Sequence, residues 1–352
     1  MPSFTAQPAA PFPDGLPLAD IYTVDCDKLR AGDEVDERKV YDASRGYGFF
    51  YLTNTHVDYD FMFDVADETF SLPLDTKMQY EMGNTGSYFG YKMSGSNYVD
   101  AKGTPDKAEF YNVSKDDVMR IGRYMDDPLQ HPDTIVRRRP ELERFMASCH
   151  EVTLVILRVL ERQLGLDADA LLNIHKLHEP SADQARVTFA PPVGSGEILF
   201  GEHSDFGSIT VLFNQLGGLQ VINPESYEWK YVKPKPGAAI INLGDSLIKL
   251  LGGRLYSAVH RIMGPPGPQA QYPRQSVVYF SRPNSGILLQ SLFPGDPKEE
   301  NPMTADEWVA QRAKLRRTAN YQDAASFKAS RGTEHLNGRL EATLDGMAKS
   351  DR

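Results

Sequence analysis

Gly201-Glu202-His203-Ser204-Asp205-Phe206-Gly207 is the stretch on which the fold and chemistry of this chain turn. Residues i and i+2 of a β-strand share a face, so the spacing predicts that the His203 imidazole and the Asp205 carboxylate project side by side. Far downstream, Ser257-Ala258-Val259-His260-Arg261-Ile262 places another histidine in a strand-like run. Two histidines and one carboxylate on one face of an ion, with the opposite positions open, form a ligand set suited to non-haem Fe(II). Zinc catalytic sites more often keep four-coordinate geometry. The ion needs neutral imidazoles and an ionised carboxylate, so binding is expected to weaken as pH falls.

Arg274-Gln275-Ser276 repeats the i, i+2 spacing at the start of the strand-like Ser276-Val277-Val278-Tyr279-Phe280. A guanidinium fork and a hydroxyl on one face suit a carboxylate, through charge-assisted hydrogen bonds. Beside a metal site, the pair calls for a co-substrate that chelates at one end and carries an acid at the other. 2-Oxoglutarate has that form.

Bulk properties narrow the field. The 352 residues suffice for one large domain or two ordinary ones, and 41% hydrophobic content supports a substantial core. A formal net charge of −10 argues against nucleic acid or an anionic membrane as partner. Two cysteines, Cys26 and Cys149, without CxxC spacing fit a reducing compartment. The first residues carry no secretory signal pattern and no apolar run is long enough to span a bilayer. A cytoplasmic protein is expected, as a monomer or homo-oligomer that the sequence does not decide.

Along the chain we expect an extended N-terminal arm over residues 1–18, a mixed helical region over 19–184, a strand-rich core over 185–295, and a C-terminal helix and tail over 296–352, all one structural unit. Helical spacing marks 39–47, 59–70 and 304–321. The clearest case is 141–165, where Leu142, Phe145, Met146, Cys149, Val152, Ile156, Val159 and Leu160 recur on one face and Gly165 supplies a C-cap. Residues 83–108, rich in Gly, Ser, Asn and Tyr, read as a long lid loop. From 185 onward nine short strands follow, the last over 286–289, a texture that suggests a jelly roll or barrel. Asn242, Gly244 and Asp245 are expected to shape a turn. His56, His131, His150, His175, His178 and His335 are expected to be structural or exposed.

Four blocks agree in order and spacing: His203-Ser204-Asp205-Phe206-Gly207-Ser208-Ile209-Thr210, Gly217-Gly218-Leu219-Gln220-Val221, Ile241-Asn242-Leu243-Gly244-Asp245, and His260-Arg261 through Arg274-Gln275-Ser276. Together they resemble the catalytic core of the 2-oxoglutarate/Fe(II)-dependent dioxygenase superfamily, in the branch of isopenicillin N synthase and the plant and fungal natural-product oxygenases. Gly48-Phe49-Phe50-Tyr51-Leu52 through Phe70-Ser71-Leu72-Pro73 is similar to the same family's N-terminal region.

The resemblance implies an α+β protein: a double-stranded β-helix (jelly roll) core with flanking helices, including a long helix backing the sheet. It further implies Fe(II) on His203, Asp205 and His260. 2-Oxoglutarate would chelate it through its C1 carboxylate and 2-keto oxygen, O₂ would take the remaining position, and Arg274 and Ser276 would hold the distal carboxylate. The expected outcome is hydroxylation, desaturation, epoxidation or ring rearrangement of a small organic metabolite in specialised biosynthesis.

One departure stands out. Where relatives carry an Asn-Tyr-Tyr-Pro-Pro-like run, this chain has Thr188-Phe189-Ala190-Pro191-Pro192. Thr188 keeps a hydroxyl for the co-substrate, whereas Phe189 and Ala190 replace tyrosines and make room for a bulkier substrate. Candidate substrate contacts are Phe280, Arg282, Arg186, Tyr91, Tyr88 and Phe110. Two alternatives stay open: an isopenicillin N synthase-like oxidase using O₂ without 2-oxoglutarate, and a non-catalytic binding protein on the same fold.

Overall fold

The strand Arg274–Ser281 shows how the sequence builds the core. Seven of its eight residues are buried, so neither face meets water and no polar alternation is required. Arg274, Ser276, Val278 and Phe280 take one face; Gln275, Val277 and Tyr279 take the other.

The structure, a computed structural model, describes residues 10–81, 83 and 87–332. In chain order the strands are β1 (Thr23–Asp25), β2 (Phe49–Thr53), β3 (Gly90–Lys92), β4 (Glu109–Ser114), β5 (Gln184–Ala190), β6 (Ile198–His203), β7 (Ile209–Asn214), β8 (Leu219–Ile222), β9 (Trp229–Tyr231), β10 (Ala238–Leu243), β11 (His260–Met263) and β12 (Arg274–Ser281). Eight form a large sheet in the order β1-β2-β10-β7-β12-β5-β4-β3, and four form a small sheet in the order β6-β11-β8-β9. Phe49, Leu212, Ile240 and Val278 of the large sheet meet Leu219 and Val221 of the small one in a shared apolar layer. Two sheets packed face to face with flanking helices give the jelly-roll core expected from the sequence.

The outer face of the large sheet carries Val187, Val211, Phe213, Ile241, Val277 and Tyr279 into the main core. The helix Arg139–Leu164 packs there against β5, β7 and β12. Its buried residues follow the expected stripe. Pro140 opens it, where a missing N–H costs nothing, and Gly165 closes it in the left-handed conformation at φ 68°.

Four segments differ from expectation. Residues 286–289 form no strand: Leu288 makes a single bridge to Thr304, and the Ile287 carbonyl accepts from the Ala305 N–H at 2.9 Å, so the segment docks on the start of the helix Ala305–Leu315. That helix is capped by Thr304 and Glu307 and ends at Leu315, with a 3-10 turn at Thr318–Asn320, so 304–321 is not one continuous helix. The early helix begins at Glu34 rather than residue 39, because Asp33 caps it by accepting from the Asp36 N–H. Within 83–108, β3 pairs with β4 and extends the large sheet. The following loop is fastened by Asp106, which pairs with the buried Lys92 and accepts from the Gly95 N–H at 2.8 Å. A loop whose polar groups are satisfied internally lacks hydrophobic periodicity and still has one conformation.

Candidate metal centre

His203 ends β6, and the chain then leaves the small sheet. Asp205 therefore lies in the connecting loop rather than on the strand, and the loop still returns its carboxylate to the imidazole. His203 Nε2 is 3.8 Å from Asp205 Oδ1, and His260 Nε2 is 3.9 Å from the same oxygen. The register pairs His260 directly with His203, with an irregularity just after it. The two rings stand 4.2 Å apart between centroids. One ligand atom from each of the three residues falls within 4.8 Å of the others.

The remaining polar atoms of the trio are committed elsewhere. His203 Nδ1 faces the Gly201 carbonyl at 2.8 Å, and His260 Nδ1 faces the Ala258 carbonyl at 3.1 Å. A carbonyl accepts only, so each Nδ1 carries a proton and each Nε2 is the nitrogen left to face Asp205. Asp205 Oδ2 accepts from Thr210 Oγ1 at 2.6 Å and Asn242 Nδ2 at 2.7 Å, leaving Oδ1 free toward the histidines. Burial holds the His203 imidazole well below its usual pKa, aided by the nearby Arg316. Burial pushes the Asp205 carboxyl up, but His260, Asn242 and Thr210 more than offset it and leave it below the usual carboxylate range. A divalent ion requires neutral imidazoles beside an ionised carboxylate, and the shifts of His203 and Asp205 run in that direction. The donor set and its outer hydrogen bonds fit Fe(II).

Ser204, between two of the three residues, donates its N–H to the Arg331 carbonyl at 3.0 Å. The helix Ala324–Arg331 is thereby seated against the end of β6, where Arg331 Nη1 also meets Glu202 at 2.8 Å.

A cavity of about 760 Å³, counting its open mouth, runs from the trio between the sheets. At its inner end are Arg274 and Ser276 of β12. Thr188 lies across from Ser276 in register, their hydroxyls 2.5 Å apart. Arg274 is 4% exposed. Its Nε donates to the Gly217 carbonyl at 2.9 Å, while Nη2 has no partner. Burial draws its pKa down to about 10. Gly218, at φ +109°, lets the chain pass beneath it: a Cβ there would sit 2.3 Å from the Met263 carbonyl oxygen and 3.4 Å from Arg274 Nε. Ala190 sits opposite Arg274 in the register and Phe189 packs on Phe70, so this wall is apolar.

A wider chamber opens on the other side of His203 and Asp205, and Phe110, Arg186, Phe200 and Phe280 line both spaces. Arg186 lies over the Phe110 ring at 4.0 Å and the Phe280 ring at 4.8 Å. Arg282 and Tyr88 line the chamber, although Arg282 also donates to the Ala182 carbonyl. Tyr91 lines it too, but its hydroxyl is engaged by Glu109 at 2.5 Å, and Glu109 in turn pairs with Lys77.

Comparison with known proteins fits this geometry. Residues 171–283 match the 2OG-Fe(II) oxygenase superfamily, and residues 16–134 match the family described as non-haem dioxygenase in morphine synthesis N-terminal. The 2-oxoglutarate-dependent dioxygenase frbH of a Dothideomycetidae species is 30% identical over 294 residues, covering 79% of this chain and 87% of that one. The chain belongs to the 2-oxoglutarate/Fe(II)-dependent dioxygenase superfamily. The 2-oxoglutarate-dependent dioxygenase ecdG of Aspergillus rugulosus is 28% identical over 76% of this chain and 82% of its own. Among solved structures, a full-length Neurospora crassa protein in complex with alpha-KG superposes with a TM-score of 0.70 at 24% identity, covering 88% of this chain and 98% of that one. JOX2 in complex with 2OG, Fe and JA superposes at 0.66 with 27% identity, covering 91% and 92%. The protein is a non-haem Fe(II)/2-oxoglutarate-dependent dioxygenase on a double-stranded β-helix.

Within this dioxygenase, the structure brings His203, Asp205 and His260 together, and likewise Arg274, Ser276 and Thr188. It corrects the expectation for Asn242, which belongs to β10 and anchors Asp205 instead of shaping a turn. Thr210 has the same task. Their signal was the two-residue phase: Thr210 shares a face with Leu212, and Asn242 with Ile240. Arg316 was not a candidate from sequence. It reaches the site only because the C-terminal helix crosses the chamber, bringing its guanidinium 5.0 Å over the Phe200 ring and 5.4 Å over Phe206.

Proposed function

We propose that this dioxygenase oxidises a small, largely apolar metabolite in specialised biosynthesis, with hydroxylation as its default outcome. His203, Asp205 and His260 would hold the iron. Arg274, Ser276 and Thr188 would take the distal carboxylate of 2-oxoglutarate. Loaded with Fe(II), 2-oxoglutarate and O₂, such a centre supplies the oxidising equivalents for breaking a C–H bond as 2-oxoglutarate is converted to succinate and CO₂.

The observation that carries this reading is the pairing of two features across one cavity. At one end lie three metal-competent side chains with every non-ligating atom engaged. At the other lies a buried guanidinium whose Nη2 has no partner among the described residues. A buried charge of that kind calls for an anion. The two ends suit a ligand that is a chelator at its head and a carboxylate at its tail.

The chain's own groups have defined tasks in this scheme. Asn242 and Thr210 aim Asp205, the Gly201 and Ala258 carbonyls fix the imidazole tautomers, and Phe110, Phe200 and Phe280 exclude water from the reacting carbon. The family match to an enzyme region of morphine synthesis supports a role in specialised metabolism. We assign the enzyme to the cytosol, where free thiols such as Cys26 and Cys149 stay reduced. Among the described residues no helix is long and apolar enough to cross a membrane. We take 1–18, 19–184, 185–295 and 296–352 as segments of one unit, because β1 to β4 complete the large sheet.

The test is succinate release and O₂ uptake measured with and without 2-oxoglutarate and Fe(II). Turnover should require both and should vanish in His203→Ala. Turnover that survives a chelator, or O₂ uptake indifferent to 2-oxoglutarate, overturns the reading.

A further inference from the structure

Apart from the exposed Lys314, the cations of the outer chamber fall into two groups. Arg317 is paired with Glu81, and Lys92 with Asp106. Arg186 and Arg316 differ, since neither has a carboxylate partner among the described residues. Arg186 donates from Nε to the neutral Asn112 side chain at 2.7 Å. Arg316 has a buried Nε with no hydrogen-bond partner. Behind them, Arg282 uses Nη1 on a backbone carbonyl and leaves Nε unpartnered. All three line the chamber that reaches His203 and Asp205.

Burial, and after it the crowding of like charges, shows in their acidity. Burial first, then the neighbouring Arg282, draws Arg186 down to about 9. Burial and Arg312 draw Arg316 down to about 9. The carboxylates nearby are committed elsewhere. Asp205 faces the histidines, Asp183 serves Tyr279 and the Arg282 N–H, and Asp245 accepts from Ser204 beside Arg312. Once the site is loaded, a dication and Arg274 together balance Asp205 and the 2-oxoglutarate dianion. Arg186, Arg282 and Arg316 then have no paired carboxylate among the described residues, inside a protein whose overall charge is −10.

We propose that the substrate is an organic acid whose carboxylate is gripped by Arg186 and Arg316, with Arg282 behind them. Its apolar body lies among Phe110, Phe200, Phe206 and Phe280. This inference rests on the function proposed above and adds the substrate's chemical class. Aromatic rings cover the flat faces of Arg186 and Arg316, so the forks present their edges, and an edge-on guanidinium matches a planar carboxylate. The acid end is thereby an anchor, and the carbon offered to the metal side belongs to the apolar body.

The experiment is calorimetry on the full chain loaded with Mn(II) and saturating 2-oxoglutarate. The probes are aryl- and cycloalkyl-alkanoic acids, each with its amide and its phosphonate, beginning with 3-phenylpropionate and 3-phenylpropionamide. Acids should bind at least about ten-fold more tightly than their amides, because a buried pair loses that much when one charge goes. Arg186→Gln and Arg316→Gln should each erase most of the preference while Mn(II)·2-oxoglutarate affinity stays within about two-fold. No acid binding more tightly than its amide overturns the proposal, and so does a preference that survives both substitutions. Phosphonates binding more tightly than carboxylates overturn the choice of carboxylate. Failure of the unsubstituted protein to bind Mn(II) and 2-oxoglutarate is a different result, and it strikes the proposed function instead.

Discussion

Asn242, on the large sheet, donates to Asp205 Oδ2 at 2.7 Å, although Asp205 extends from the small one. The carboxylate of the trio is thus aimed by the opposite layer of the sandwich. Outer hydrogen bonds of this kind are commonly worth about 10- to 100-fold in metal affinity. Asn242→Ala should therefore raise the Kd for Fe(II) or Mn(II) by a factor in that range while leaving the apo protein's unfolding midpoint within a few degrees. An unchanged metal Kd would remove Asn242 from the site.

Arg274 should be felt in co-substrate binding rather than in chemistry. Charge-assisted hydrogen bonds contribute about 1.5–3 kcal/mol, so Arg274→Gln should raise KM for 2-oxoglutarate about ten- to hundredfold. The kcat at saturation should change little. The same substitution should abolish most of the thermal stabilisation that 2-oxoglutarate gives the metal-loaded protein, because linkage scales with affinity.

Gly218→Ala should damage both fold and site. Its φ of +109° is foreign to an L side chain, and the new Cβ would press on the Met263 carbonyl. We expect a loss on the order of 1–3 kcal/mol in chemical denaturation. A weaker 2-oxoglutarate affinity should accompany it, since that Cβ also abuts Arg274 Nε.

His175 makes the protein acid-sensitive away from the metal. It is buried between the Leu171 carbonyl and Ser208 Oγ, and burial lowers its pKa to about 4. Its unfolded value is about 6.5, so between those values the unfolded chain binds more protons than the folded one. Stability should be fully present above pH 6.5 and fall as pH drops toward 4, by a total on the order of 3 kcal/mol from this residue. Denaturation of the apo protein across that range should show the slope, and His175→Gln should flatten it. A slope unaltered by the substitution would assign the effect to other groups.

Arg274/Ser276 and the helix Arg139–Leu164 are legible because each is written in local spacing, two residues along a strand or three or four around a helix. The nearness of His203 and Asp205 is legible too, although Asp205 lies in the loop after β6, and His260 joins them only through the pairing of β11 with β6. Asn242 and Thr210 were harder. Their task depends on which strands lie opposite them, and non-local pairing leaves no mark in a neighbouring residue. Arg316 was invisible for the same reason, since its place is set by how the C-terminal helix lies over the chamber. Residues 286–289 misled because a short apolar run around Ile287, Leu288 and Leu289 serves a docking turn as well as a strand. Tyr91 reads as a lid aromatic, and only the structure reveals Glu109, itself paired with Lys77, accepting from its hydroxyl.

The bond from Ser204 to Arg331 gives the protein a timetable. The loop bearing Asp205 is clasped by a residue synthesised well after both histidines, so a ribosome-bound chain that has just emitted β12 lacks the clasp. A shortened product ending before Arg331 should therefore hold a divalent ion more loosely, measured as a higher Kd for Mn(II).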